Sequence, residues 1–354
     1  MRFYNEHHKF YVGIDLHARQ MYICVMDSSG EIHHHQNHPT TPESLALIIH
    51  LFGKDLIIGV ECMFSWYWVA DFCEEHNVPF ILGHALYMKA IHGGKTKTDR
   101  IDALKIASML RGGMFPVAHA YPKAMRATRD LLRRRLFFVR HRAALLSHIA
   151  NTNTQYNNEP IRVALLRASN REGIEDRFES DSARQSILAD KFLLDSYHRV
   201  VLDIESTVIR HAKIDDPFAL SLLRTIPGIG PVLALTILYE IGDIARFPQV
   251  GNFISYARLV KCSHESAGKR FKGGHNKIGN AHLKWAFSEA AVLLIRERDE
   301  AKRLHQSLQA KYGRAKSLSI IAQKIGRLVF YILKNRIPFD VQRFFGTRVV
   351  ELVV

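Results

Sequence analysis

Four carboxylates stand out in this sequence by their positions. Asp15 lies at the polar end of the apolar run FYVGIDLH, and Glu61 closes IIGVE. Asp99 and Asp102 stand three apart at the start of the helix-like run TDRIDALKIASML. An acid at the edge of an apolar strand is costly unless it is solvated or paired. Residues i and i+3 of a helix share a face, with Cβ atoms roughly 5–6 Å apart, so both aspartates can serve one centre. Hard oxygen ligands suit Mg2+, which keeps waters and binds phosphates. Such a centre can orient an oxygen and neutralise charge developing on phosphorus. The helical pair has a second reading: Asp99 as N-cap with Asp102 reaching back as a capping box, both favoured by the helix dipole.

The elements around these acids decide between the two. FYVGIDLH reads as a strand, ARQMYICVMDSSGEI as a second strand and a polar turn containing Gly30, and DLIIGVECM and VPFILGHA as two more strands. Helices are expected over TTPESLALIIHLF, with Thr40 as cap and Glu43 three residues on, and over WYWVADFCEEH. Strand-Asp, strand-Glu and then Asp-x-x-Asp on a helix is the order in which an RNase H-like (RuvC-like) α/β sheet brings four acids to one edge, which favours the metal reading. The predicted N-terminal domain spans 1–120.

From residue 121 the pattern changes. Two long amphipathic stretches, from Lys123 to about Asn153 and over roughly 179–213, predict a helical coiled-coil arm over 121–215. Its first helix carries Arg126, Arg129, Arg133, Arg134, Arg135, Arg140 and Arg142, read here as contacts to a nucleic-acid backbone. A mostly α-helical domain is expected over 216–354. It opens with IPGIGP, which suits either a phosphate-approaching hairpin between helices or a simple αα-turn. A loop rich in small and basic residues, KCSHESAGKRFKGGHNKIGNAH, follows.

Composition narrows the partner. The 354 residues hold 49 Lys+Arg against 34 Asp+Glu, a formal net charge of +15, which favours polyanions through counterion release. No apolar run approaches the ~20 residues of a membrane span, and the first residues lack a signal-peptide core, so a cytoplasmic location without membrane contact is expected. The four cysteines show no CxxC pair and are expected as free thiols. HHHQNH at 33–38 lacks a recognisable ligand spacing and reads as a surface loop or strand edge. Trp66, Tyr67 and Trp68 read as core rather than as a base-stacking platform.

With GIDLH, GVECMFSW, KTKTDRIDALKIA, the arginine-rich LLRRRLFFVRHRAALLSHI, IPGIGPVLALTILYEIG and SAGKRFKGGHNKIGNAHLKWAF in view, the chain resembles the bridge-RNA-guided DEDD transposases of insertion sequences, a family related to pilin-gene invertases. The resemblance covers most of the chain. It implies that Asp15, Glu61, Asp99 and Asp102 form a Mg2+-binding catalytic tetrad. It further implies that a C-terminal serine attacks a DNA phosphodiester and forms a covalent link, and that a noncoding RNA pairs with donor and target DNA. A homo-oligomer built as a dimer of dimers is implied as well. Ser266, directly before Ala-Gly-Lys, matches the family's serine, with Ser263 as runner-up. Arg258-Leu259-Val260-Lys261 and His264-Glu265 depart from the family pattern and blur the register there. Lys269, Arg270 and Lys277 join the arm's Arg126, Arg129, Arg133 and Arg140 as nucleic-acid-binding candidates. Two rivals remain at this stage: a RuvC-type metal nuclease using water, and a non-catalytic binding protein on the same fold.

Overall fold

The computed structural model describes residues 2–91, 98–260, 263–266, 269–272 and 278–346. The chain divides into two compact units, Met1–Ala124 and Met125–Val354.

In chain order the first unit holds β1 (Phe3–Tyr4), β2 (Phe10–Leu16), β3 (Gln20–Asp27), β4 (Ile32–Pro39), α1 (Pro42–Phe52), β5 (Leu56–Glu61), α2 (Tyr67–Glu75), β6 (Phe80–Gly83), α3 (Ala85–Ile91), α4 (Asp99–Arg111) and β7 (Phe115–Pro116). Five strands form one mixed sheet in the order β4-β3-β2-β5-β6. β2, β3 and β4 run antiparallel as a meander, while β5 pairs parallel to β2 and to β6. The His-rich segment 33–38 lies within the edge strand β4, as its strand-edge reading anticipated.

The central strands alternate between two buried faces, which explains their nearly unbroken apolar runs. Val12, Ile14 and Leu16 of β2 share a core with Ile58 and Val60 of β5, Leu45 and Ile48 of α1, and Val69 and Phe72 of α2. Tyr11 and Ile57 point to the other face, where Ile106, Met109 and Leu110 of α4 cover them. Trp66 is buried against Leu82 with Tyr67 beside it, a core role for the aromatic cluster. Two caps sit one residue from their expected places. Thr41, not Thr40, caps α1 by accepting from the Ser44 amide, because Pro42 takes the first helical position, where its missing N–H costs nothing.

The second unit begins with most of α5 (Lys123–Gln155), followed by short 3-10 turns, α6 (Asp181–Asp215), α7 (Pro217–Arg224), α8 (Pro231–Ile241), α9 (Val250–Tyr256), the strands β8 (Ser263–Ser266) and β9 (Lys269–Lys272), α10 (Ala281–Glu297), α11 (Asp299–Tyr312), α12 (Arg314–Asn335) and α13 (Val341–Phe345). α5 and α6 form an antiparallel hairpin. Arg135 meets Glu205, Arg142 meets His198 and His148 meets Asp190, so the partner number falls as the first rises. At the base of the hairpin Leu132, Ile204 and Val208 enter the same core as α7–α10 and α12. The segment read from sequence as a loop contains the antiparallel pair β8–β9, in which Ser263 pairs with Lys272 and Ser266 with Lys269. Among the described residues no helix is long and apolar enough to cross a membrane. Among the described residues Cys24, Cys62 and Cys73 form no disulfide, and Cys262 lies outside those residues.

Candidate active site

The acids of the first unit are positioned by two glycines. Gly13 and Gly59 stand opposite each other on the parallel strands β2 and β5. A Cβ on Gly13 would lie 2.3 Å from the Ala103 carbonyl oxygen and the Ala107 amide nitrogen, and one on Gly59 would lie 2.7 Å from the Leu110 side chain. With no side chains between them, α4 lies directly on the sheet. Asp15 and Glu61 each follow their glycine by two residues and so share its face, and the pairing of Ile14 with Val60 puts them level on adjacent strands. The first turn of α4, with Asp99 and Asp102, extends over this end of the sheet.

Neither aspartate is used as a cap. Thr98 is the N-cap, its hydroxyl accepting from the Ile101 amide at 3.3 Å, which leaves Asp99 at the first helical position. The cap reading of Asp99 is thus corrected, because the residue before it does that work. Edge strand β4 braces the same turn, with a His35 Nε2 2.9 Å from the Arg100 carbonyl oxygen.

The side chains of Asp15 and Asp99 converge on one group that sequence reasoning did not single out. His17 Nε2 lies 3.3 Å from Asp15 Oδ2 and 3.6 Å from Asp99 Oδ1. One donor atom from each of Asp15, His17 and Asp99 falls within 4.8 Å of the others, a spacing able to hold a metal ion. Asp102 turns toward Lys105, 3.3 Å away. Glu61 is half-buried at the strand end, level with Asp15 but outside that three-residue cluster. The signal for His17 was present as an Asp-x-His step at the end of a strand, but a single exposed histidine in a turn carries little weight alone.

Electrostatics at this edge favour a cation. Burial raises the Asp15 carboxyl above the ordinary aspartate value; His17 opposes the rise, while the charges of Asp99 and Asp102 add to it. Several carboxylates on one edge repel one another, and a divalent ion among them would relieve that repulsion. The donors present are carboxylate oxygens with one imidazole nitrogen, so they fit the divalent ion that the fold expectation implies.

In the second unit the arginines of α5 separate into two groups. Buried Glu240 on α8 receives Arg133 Nε at 2.6 Å and Arg129 Nη2 at 3.2 Å, and Asn280 Nδ2 donates to it at 2.7 Å. The two guanidiniums and the amide hold its carboxyl below the usual glutamate range, although burial alone would raise it. Arg126 is buried and Arg135 pairs with Glu205, whereas Arg140 is exposed. At least three of the arginines therefore have partners within the fold.

Asn280 also links this hub to the serine segment. Its amide N–H donates to the Tyr256 carbonyl at 2.6 Å, and Arg258 Nε donates to the Ile278 carbonyl at 3.0 Å, so both flanks of 261–277 are anchored to α9. Ser266 ends β8 and Ser263 begins it, while Lys269 and Arg270 open β9. The side chains of these four, and all of Lys277, lie outside the described residues. The IPGIGP turn resolves as an αα-turn. Gly228, at φ +82°, comes so close to α10 that a Cβ would lie 2.5 Å from the Leu294 nitrogen. Its N–H is occupied by Glu297 Oε2 at 2.8 Å.

An acid-edged mixed sheet in one unit and a basic helical hairpin in the other describe a candidate polynucleotide-processing enzyme, and comparison with known proteins gives its family. Residues 12–158 match the DEDD transposase family of the IS110 group, and residues 220–306 match the transposase IS116/IS110/IS902 family. The chain belongs to this transposase family. It is 31% identical over 135 residues to a mini-circle protein from Streptomyces coelicolor named as a transposase for IS117, a match covering 35% of this chain and 30% of that protein. It is 23% identical over 252 residues to the transposase for insertion sequence element IS1111A from Coxiella burnetii, covering 68% of this chain and 67% of that one.

Proposed function

We propose that this chain excises and inserts an insertion sequence, cutting and rejoining DNA through a covalent serine–DNA link. Its RuvC-like, RNase H-like unit would assist with Mg2+ held by Asp15, Glu61, Asp99 and Asp102. Support for that fold comes from the sheet, in which a three-stranded antiparallel meander is followed by strands parallel to its first member. The observation that carries the reading is the convergence of Asp15 and Asp99 at the end of β2. When bound, a divalent ion there supplies charge neutralisation at phosphate oxygens and a template for the reacting groups.

The remaining roles belong to the chain's own residues. The Ser266 oxygen forms a bond to phosphorus as a strand's P–O bond breaks, and the serine proton passes to a base or to solvent. A hydroxyl of the joining strand then attacks the same phosphorus and restores the serine. Lys269 and Arg270 offer positive charge to the phosphate oxygens as they gain charge, and Lys277 and the exposed Arg140 contribute backbone contacts. A noncoding bridge RNA selects donor and target DNA, and the active assembly is a dimer of dimers of three-domain protomers with boundaries near 120 and 215. A water-using RuvC-type nuclease shares the acids but not the serine, and the family matches do not favour it. Trapping of protein on labelled element-end DNA under denaturing conditions tests the proposal, with loss of the adduct in Ser266→Ala expected.

A further inference from the structure

We propose that His17 is itself a ligand of the metal centre, so that the centre is a mixed nitrogen–oxygen site. This inference rests on the reading of the acids as a metal site and adds a donor to it. His17 lies in the β2–β3 turn, where its backbone is held on both sides. Its N–H donates to the Gln20 carbonyl at 3.1 Å, and its own carbonyl accepts from the Thr40 hydroxyl at 2.9 Å. The imidazole therefore projects from a fixed turn at the end of the strand that carries Asp15. Its Nε2 is 3.3 Å and 3.6 Å from one oxygen each of Asp15 and Asp99. Neighbouring ligands of an octahedral ion with bonds of about 2.1 Å lie about 3.0 Å apart, so small side-chain movements would bring all three donors onto one ion.

The chemical consequence is selectivity. Mg2+ prefers an all-oxygen, largely hydrated shell, whereas Mn2+ and later divalent ions gain more from an imidazole nitrogen. A centre with His17 as donor binds Mn2+ more tightly than Mg2+, and removing the ring narrows the difference. A histidine that merely pairs with the two aspartates would instead be displaced by the ion and would leave no trace in the ion's coordination.

The test uses the purified full-length protein with Mn2+ as probe, observed by electron paramagnetic resonance, and needs no DNA. Electron spin-echo modulation of bound Mn2+ is expected to show coupling to a 14N nucleus in the wild type. In His17→Gln that coupling disappears and Mn2+ affinity falls roughly tenfold or more, with Mg2+ affinity, read by competition, changing less. Unchanged thermal unfolding of the metal-free variant shows that the fold is intact. Bound Mn2+ without nitrogen coupling overturns the inference, as does equal Mn2+ affinity in His17→Gln. Coupling that survives in His17→Gln but vanishes in His33→Gln also overturns it, assigning the nitrogen to the separate Asp27, Glu31 and His33 cluster at the β3–β4 turn. If Asp15→Asn abolishes Mn2+ binding while His17→Gln leaves its affinity unchanged, the carboxylate centre stands and only the His17 ligand falls. No Mn2+ binding by the wild type overturns both.

Discussion

Gly13 and Gly59 face each other across two parallel strands, and it is their missing side chains that let α4 bring Asp99 and Asp102 to the edge where Asp15 and Glu61 end. The two glycines differ in what surrounds them, and this gives a graded prediction. Gly13→Ala drives a methyl into helix backbone, which must move as a unit, whereas Gly59→Ala meets the end of the Leu110 side chain, which can rotate. Gly13→Ala is expected to cost at least the ~1–3 kcal/mol typical of overpacking and to weaken divalent-ion binding, with Gly59→Ala the milder of the two. Calorimetric melting of both variants, with and without Mn2+, checks the order.

Thr98 and Asp99 separate the structural role of the α4 start from its chemical one. Thr98→Ala removes the N-cap bond and should destabilise the metal-free protein by about 0.5–2 kcal/mol. Asp99→Asn keeps that cap and loses only a dipole contribution of about 0.3–1 kcal/mol, yet it should lose most of the divalent-ion affinity. Urea unfolding paired with ion titration distinguishes the two profiles.

The acids were legible in the sequence because Asp15 and Glu61 stand at the ends of apolar strands and Asp99 and Asp102 open an apolar helix, and the strands were legible because two-sided burial writes itself as continuous Val and Ile. What sequence could not show was pairing over distance. Arg133 finds Glu240 at a separation of 107 residues, and nothing local to either marks the pair. The arginine helix therefore read as a surface for polyanions, although Arg129 and Arg133 are directed inward. The cap positions slipped by one residue because Thr, Asp and Pro each offer a plausible start. The IPGIGP turn suits both a phosphate-approaching hairpin and an αα-turn in sequence, because Glu297, which occupies the Gly228 N–H, lies 69 positions away.

Glu240 ties α5, α8 and the start of α10 together, so its loss should be felt in stability. Glu240→Gln leaves two guanidiniums without their counter-charge in the interior, and a cost of about 3–5 kcal/mol is expected near neutral pH. Because the folded carboxyl is held below its ordinary value, its contribution is full above the unfolded glutamate pKa of about 4.3 and is lost as pH falls through the folded value. The gap between wild type and Glu240→Gln should therefore be widest at neutral pH and close in acid. Chemical denaturation at a series of pH values reads this directly.

Arg140 and Arg133 should behave differently toward DNA. Arg140, exposed on α5, is expected to contact phosphate: Arg140→Ala should leave the melting temperature unchanged and lower the salt dependence of duplex binding by up to about 0.9 in log–log slope. Arg133→Ala should lower the melting temperature first. Binding isotherms over a salt series, beside melts of both variants, separate the two roles.

The most direct test of the central claim is the covalent-adduct trap. Purified protein is mixed with Mg2+, RNA transcribed from the DNA flanking its gene and labelled element-end DNA, then denatured in detergent. The account predicts a slow-migrating labelled band that is lost in Ser266→Ala and lost again in Asp15→Asn. Clean cleavage without an adduct, retained in Ser266→Ala, would contradict it and leave a metal-dependent nuclease.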